Sequence, residues 1–340
     1  MCAVGERMLR DDLAMSPILT IADIEAAAAR LAGVAVWTPL LRNDALDARV
    51  GGRLLIKPEP LQRTGSFKFR GAYNTIAQLP PGPVVAYSSG NHAQGVAAAA
   101  RLLGRTATII MPSDAPAIKR RNTERLGAEV VLYDRHGEDR EAIGREIADR
   151  TGAQLVKPYD DPRIMAGQGT VGLEMAIDAL SLGSVPDAAI VCCGGGGLIA
   201  GTATALVHHF PEIEVYSAEP AGFDDTARSL ASGQREGNLP GARSICDALL
   251  APQPGALTLR VNRQLLAGGL VADDAAVLDA MRAAFLELKI VVEPGGAIAL
   301  AAALSGALDC RDKTVLVVLS GGNVDPEQFA EALDRAPSAG

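Results

Sequence analysis

The sequence predicts an α/β protein built on parallel sheets. Three observations carry this. Short runs of β-branched residues alternate with alanine-rich stretches of helical spacing, the alternation recurs along most of the chain, and glycine-rich or Ser/Asn-rich turns fall where a strand passes into a helix. Thr20 with Asp23 three positions later forms a capping pattern ahead of a helix over 24–31. Strand and helix pairs follow at 84–87 and 93–103, at 106–111 and 118–126, and at 129–133 and 140–150. The same beat returns at 188–193 and 198–209, with further strands at 215–219 and 314–320. Strands joined by helical crossovers run parallel, and right-handed crossovers are the rule. The Gly- and Pro-rich stretch 232–254 reads as an ordered connection near the functional site.

Composition narrows the function. A chain of 340 residues, 48% hydrophobic and 21% charged, is expected to fold as about two domains with a large core. A net charge of -8 and the lack of any long basic block argue against nucleic acid as a partner. Nowhere do eighteen apolar residues run together, and the first twenty lack the hydrophobic region of a secretory signal, so no membrane partner and a cytoplasmic location are expected. Cys2, Cys192, Cys193, Cys246 and Cys310 show no metal-ligand spacing and read as reduced, mostly buried small residues. On a strand, Cys192 and Cys193 would point to opposite faces. Of the histidines, His136 falls in a polar turn and only His92 lies near the chemistry.

Three segments carry that chemistry. In Thr64-Gly65-Ser66-Phe67-Lys68-Phe69-Arg70-Gly71, one lysine sits between two aromatic residues on a turn of small residues. Held against apolar rings, its amine loses its proton readily and can condense with an aldehyde. Ser88-Ser89-Gly90-Asn91-His92-Ala93-Gln94-Gly95 follows a strand and opens a helix, where free N–H groups and the helix dipole favour a carboxylate. Gly194, Gly195, Gly196 and Gly197 join a strand to a helix without side chains, so their N–H groups can cradle a phosphate. The spacing is not that of a dinucleotide fingerprint, although Glu219 lies at about the distance of its acidic residue. No Gly-x-Ser-x-Gly elbow supports a serine hydrolase.

Together with Ser320-Gly321-Gly322-Asn323-Val324-Asp325, these segments resemble the serine racemase and threonine dehydratase family of pyridoxal-phosphate enzymes, over residues 20–330. The resemblance implies fold type II, the tryptophan-synthase-β type: two open, twisted, mostly parallel sheets with helices on both faces. The large cofactor-binding domain would comprise 1–82 and 161–340, and a small mobile domain 83–160. Lys68 would be the Schiff-base lysine and general base, with Phe67 packed against the pyridine ring. The four glycines would hold the phosphate, Asn91 would meet the phenolic oxygen and Ser320 the pyridine nitrogen. A neutral partner there leaves the ring a weaker electron sink, which suits elimination.

The activity so implied is an ammonia-lyase converting serine, threonine or 3-hydroxyaspartate to a 2-oxo acid and ammonia, with serine racemisation as the alternative. Ser89 is either a second base that permits racemisation or, with Ser88, Asn91 and His92, a contact to the substrate carboxylate. Arg140 falls where racemase-like members place an arginine facing a second substrate carboxylate, with Ser244 matching a nearby polar contact. Glu219, the Phe223 carbonyl and Asp225 resemble that branch's divalent-cation site, whose hard oxygens suit Mg2+ or Ca2+. The resemblance also implies a homodimer. The chain ends soon after Asp325, and the regulatory domain of biosynthetic threonine dehydratases is not expected.

Overall fold

Nine strands sort into two wholly parallel sheets in a computed structural model that describes residues 17–115, 117–134 and 137–334. Cys2, Arg135 and His136 lie outside the described residues. In chain order the strands are β1 (Arg53–Pro58), β2 (Val84–Tyr87), β3 (Ala107–Pro112), β4 (Glu129–Tyr133), β5 (Gln154–Leu155), β6 (Ala188–Cys192), β7 (Glu214–Pro220), β8 (Leu266–Ala272) and β9 (Thr314–Leu319). The larger sheet has the order β1-β9-β6-β7-β8 and the smaller β4-β3-β2-β5. β2 to β5 all fall within the stretch expected to form the smaller domain.

Every strand named from the sequence is present, with its ends moved by a residue or so. β1, β5 and β8 were not expected. β1 packs both faces and reads as an apolar run interrupted by Lys57, which is buried against Glu174. β8 carries two adjacent glycines, and β5 has only two residues. The helix Ile21–Leu31 starts as its capping pattern requires: Asp23 Oδ2 accepts the Thr20 N–H at 2.9 Å and Thr20 Oγ1 accepts the Asp23 N–H at 3.3 Å.

β6 and β9 supply the centre of the larger core, each packed between helices, which is why they read as nearly continuous apolar runs. Cys192 and Cys193 do turn opposite ways: the first meets Ser320, while the second lies 3.2 Å from the Thr226 hydroxyl. Cys192, Cys193, Cys246 and Cys310 are buried free thiols. Among the described residues no helix is long and apolar enough to cross a membrane.

In both sheets the loops that carry the motifs leave the carboxyl ends of parallel strands. β2 leads into Ser88–Asn91, β6 into the glycines, and β9 into Ser320. β9 and β6 are adjacent in the sheet yet far apart in sequence, so Ser320 and Gly194 flank one crevice, the usual place for a ligand in an open parallel sheet.

Candidate active site

Lys68 begins the helix Lys68–Ile76. The loop before it is stitched to the turn after β9: Phe67 donates its N–H to the Ser320 carbonyl at 3.2 Å, and Gly322 donates to the Gly65 carbonyl at 2.9 Å. The first and last motifs of the chain are thereby locked together. Lys68 Nζ donates to the Pro158 carbonyl at 3.0 Å and lies 5.0 Å from the centre of the Phe67 ring. Among the described residues no carboxylate lies within ion-pair distance of it. Burial against that ring lowers its pKa from 10.5 to about 8, with Cys192 and Glu293 opposing the shift.

The glycine loop is built for close approach. Gly196, with φ +89, adopts a left-handed conformation as it caps the helix Gly197–His209. A side chain on Gly195 would strike the Tyr159 ring at 2.3 Å. The Gly195 carbonyl turns back to accept from Thr258 Oγ1 at 2.7 Å, and the helix start leaves its first N–H groups without intrahelical acceptors. Two buried amides without partners lie against this loop. Gln168 Oε1 is 2.7 Å from where a Gly197 Cβ would sit, and Asn262 Nδ2 is 2.9 Å from the same position on Gly196. The Asn262 N–H groups, the free N–H groups of the helix start and the close backbone fit a bound phosphate.

Ser320 is buried and hydrogen-bonded to the Cys192 thiol, which burial pushes up to about 11. Asn91 is held from both ends: its Nδ2 donates to Glu293 Oε1 at 2.5 Å, and its Oδ1 accepts from Asn323 Nδ2 at 2.7 Å. Burial, with Asp247 adding to it, raises the Glu293 carboxyl to about 8.

A cavity of about 980 Å³ adjoins this cluster. Ser88, Ser89, Glu293 and Asn323 line it together with Arg140, Lys119 and Asp247. Arg140 opens the helix Arg140–Thr151 and stacks its guanidinium 5.2 Å from the Tyr87 ring centre. Lys119 and Asp247 pair across it at 2.6 Å. Ile245 and Leu250, from the irregular 232–254 stretch, complete the wall, so that segment lies beside the site as expected.

Two expected substrate contacts are placed elsewhere. His92 is buried beneath the helix start, its Nε2 donating to the Val156 carbonyl at 3.0 Å. Burial and the Lys68 charge drive it down to about 3, so it is neutral. Ser244 is turned away, its hydroxyl donating to Asp274 Oδ1 at 2.7 Å. In both cases a closer partner has captured the side chain. Conversely, sequence reasoning gave no role to Lys119, in a polar helix that looks like ordinary surface, or to Asp247, a lone acid in the apolar run 245–250.

Glu219 and Asp225 meet at the end of β7. Glu219 accepts the N–H groups of Thr226 at 2.9 Å and Ala227 at 2.7 Å, while Asp225 Oδ2 is buried without a partner. Burial is the main cause that raises these carboxyls, to about 8 and about 7, and Asp225 adds to the shift on Glu219. Among the described residues no three His, Cys, Asp or Glu side chains converge as metal ligands.

The family model described as "Pyridoxal-phosphate dependent enzyme" matches residues 32–321. The chain belongs to the pyridoxal-phosphate-dependent enzymes. It is similar to the L-threo-3-hydroxyaspartate ammonia-lyase of Pseudomonas sp, 42% identical over 92% of this chain and 97% of that protein. It is also similar to the serine racemase of Schizosaccharomyces pombe, 36% identical over 93% of this chain and 98% of that protein. Among solved structures, maize serine racemase superposes with a TM-score of 0.87 at 39% identity, covering 93% of this chain and 97% of that one. This pyridoxal-phosphate-dependent enzyme thus has fold type II and falls in the threonine/serine dehydratase-like class.

Proposed function

We propose that the enzyme is an ammonia-lyase acting on a β-hydroxy amino acid, with 3-hydroxyaspartate as a substrate beside serine and threonine. The observation that carries the choice is Arg140, a cation on the cavity wall that stacks on Tyr87 and pairs with no carboxylate among the described residues. A second substrate carboxylate would complete it. The helix start at Asn91, with Ser88, would take the α-carboxylate. When bound, the cofactor supplies an aldehyde and an electron-withdrawing ring that acidifies the substrate α-proton. Lys68, whose pKa burial lowers to about 8, is the group to form the imine link and to take that proton. Phe67 would pack on the ring, the loop Gly194 to Gly197 would hold the phosphate, Asn91 would donate to the ring oxygen, and Ser320 would face the ring nitrogen without charging it.

The test is incubation of purified protein with L-serine, L-threonine and both 3-hydroxyaspartate diastereomers, measuring 2-oxo acid and D-amino acid together. Replacing Arg140 by alanine is expected to cost 3-hydroxyaspartate turnover about 100-fold in kcat/KM, as for a lost charge-assisted pair, and serine turnover little. An equal loss on both substrates would refute the assignment. Serine racemisation is the second reading, supported by Ser89, whose hydroxyl lines the cavity. Abundant D-serine with little pyruvate would favour it.

Three further features belong to this reading. Residues 83–160, which carry Ser88, Ser89 and Arg140, would form the smaller domain and move against the rest. Glu219, Asp225 and the Phe223 carbonyl would bind Mg2+ or Ca2+, since hard oxygens and the unpartnered Asp225 Oδ2 suit such an ion. Chelation is then expected to lower the melting temperature by several degrees, with Mg2+ restoring it; Glu219→Gln should melt low and ignore both. The enzyme would be a cytoplasmic homodimer, a view supported for the dimer by exposed Trp37, Leu180 and Leu182 around the end of the helix Pro162–Ser181.

A further inference from the structure

Asn323, in the turn after β9, makes two contacts from one nitrogen. Its Nδ2 donates to the Thr64 carbonyl at 2.7 Å and to Asn91 Oδ1 at 2.7 Å. A backbone carbonyl only accepts, so the first contact fixes which end of the Asn323 amide is nitrogen. Its second hydrogen then requires an acceptor, which turns the oxygen of Asn91 toward Asn323. The Asn91 nitrogen must face the other way, where one hydrogen goes to Glu293 Oε1 and one remains to offer.

The backbone that anchors this chain of amides is itself unusual. Thr64 is a β-branched residue held at φ 61, ψ 14, in the left-handed region. Such strain persists only where the surroundings over-determine it, and the bond from Asn323 is one of those restraints. Gly65 follows because a Cβ there would fall 2.7 Å from Asn323 Oδ1.

We propose that Asn323 is a positioning residue that sets the amide orientation of Asn91, so that Asn91 presents an N–H, not a carbonyl, to the ring oxygen of the cofactor. The proposal rests on the role given to Asn91 above. Asn323→Asp keeps the size but cannot donate, and Asn323→Ala removes both contacts. The holoenzyme of each, of Asn91→Ala and of the Asn91→Ala/Asn323→Ala double variant, is titrated by its visible cofactor absorbance, with kcat and KM measured separately.

Both Asn323 variants should move the pH midpoint of the absorbance in the direction that Asn91→Ala moves it. They should lower kcat about 10-fold while leaving KM within about 2-fold. The double variant should match Asn91→Ala alone, because Asn323 acts through Asn91. Additive effects in the double variant would overturn the proposal and leave Asn323 a support for the Thr64 turn. So would an unmoved midpoint in both Asn323 variants while Asn91→Ala shifts it. An unmoved midpoint in Asn91→Ala refutes the role of Asn91 itself, and the proposal with it. Should Asn323→Ala melt, Asn323→Asp gives the same reading without the lost volume.

Discussion

Lys68→Ala is expected to abolish the visible absorbance of the holoenzyme and to lower turnover by at least about 10⁴-fold, since one amine is asked to bind the cofactor and to move the proton. Retention of both absorbance and turnover would refute the site. The unmodified protein offers a companion measurement. A lysine amine attacks an aldehyde only when neutral, and the neutral fraction grows as pH rises through its pKa. Burial lowers that value to about 8, so the rate at which cofactor-free protein takes up pyridoxal phosphate should rise with a midpoint near pH 8. A midpoint near 10.5 would describe an ordinary solvated lysine and contradict the packing against Phe67.

The second large effect is expected two residues further along the same helix. Arg70 is fully buried, and its guanidinium donates to Glu59 at 2.8 Å, to Glu174 at 2.6 Å and to the Val36 carbonyl at 3.2 Å. Lys57, also fully buried, donates to Glu174 at 2.7 Å, and Thr38 donates to Glu59 at 2.7 Å. Removing one partner from such a network leaves an uncompensated buried charge. Arg70→Met should therefore destabilise the fold by about 3–5 kcal/mol in denaturant unfolding, far beyond the lost hydrogen bonds to a neutral group. A loss under about 1 kcal/mol would mean that the carboxylates find other partners. Because Lys68 shares the helix, the variant should also retain its cofactor less well.

Much of this arrangement was legible in the sequence, for a physical reason. Fully buried parallel strands such as β6 and β9 must be continuous apolar runs, and loops that bind anions need glycine or a polar helix start, so both leave local marks. β1 and β8 escaped notice because a buried Lys57 and paired glycines interrupt the apolar pattern; β1 in particular is held by Glu174 and β9, partners more than a hundred residues away. The site shows the same division. Lys68, Asn91, the glycines and Ser320 announce themselves by local composition. Glu293, Asn323, Lys119 and Asp247 act through pairings across the fold, and His92 and Ser244 are diverted by pairings of the same kind, to Val156 and Asp274.

The order of the larger sheet also bears on how the enzyme is made. β9 lies between β1 and β6, so the last of the described strands occupies an interior position beside the first. Until residues 314–319 emerge and insert, β1 and β6 have no common neighbour, Phe67 has no Ser320 carbonyl to meet, and the lysine turn has nothing to close against. A nascent chain carrying Lys68 and the glycine loop is therefore still without a cofactor pocket. Contacts of such long sequence separation make the final step of folding slow. Capture of pyridoxal phosphate, and the visible colour that reports it, belongs to the finished chain alone.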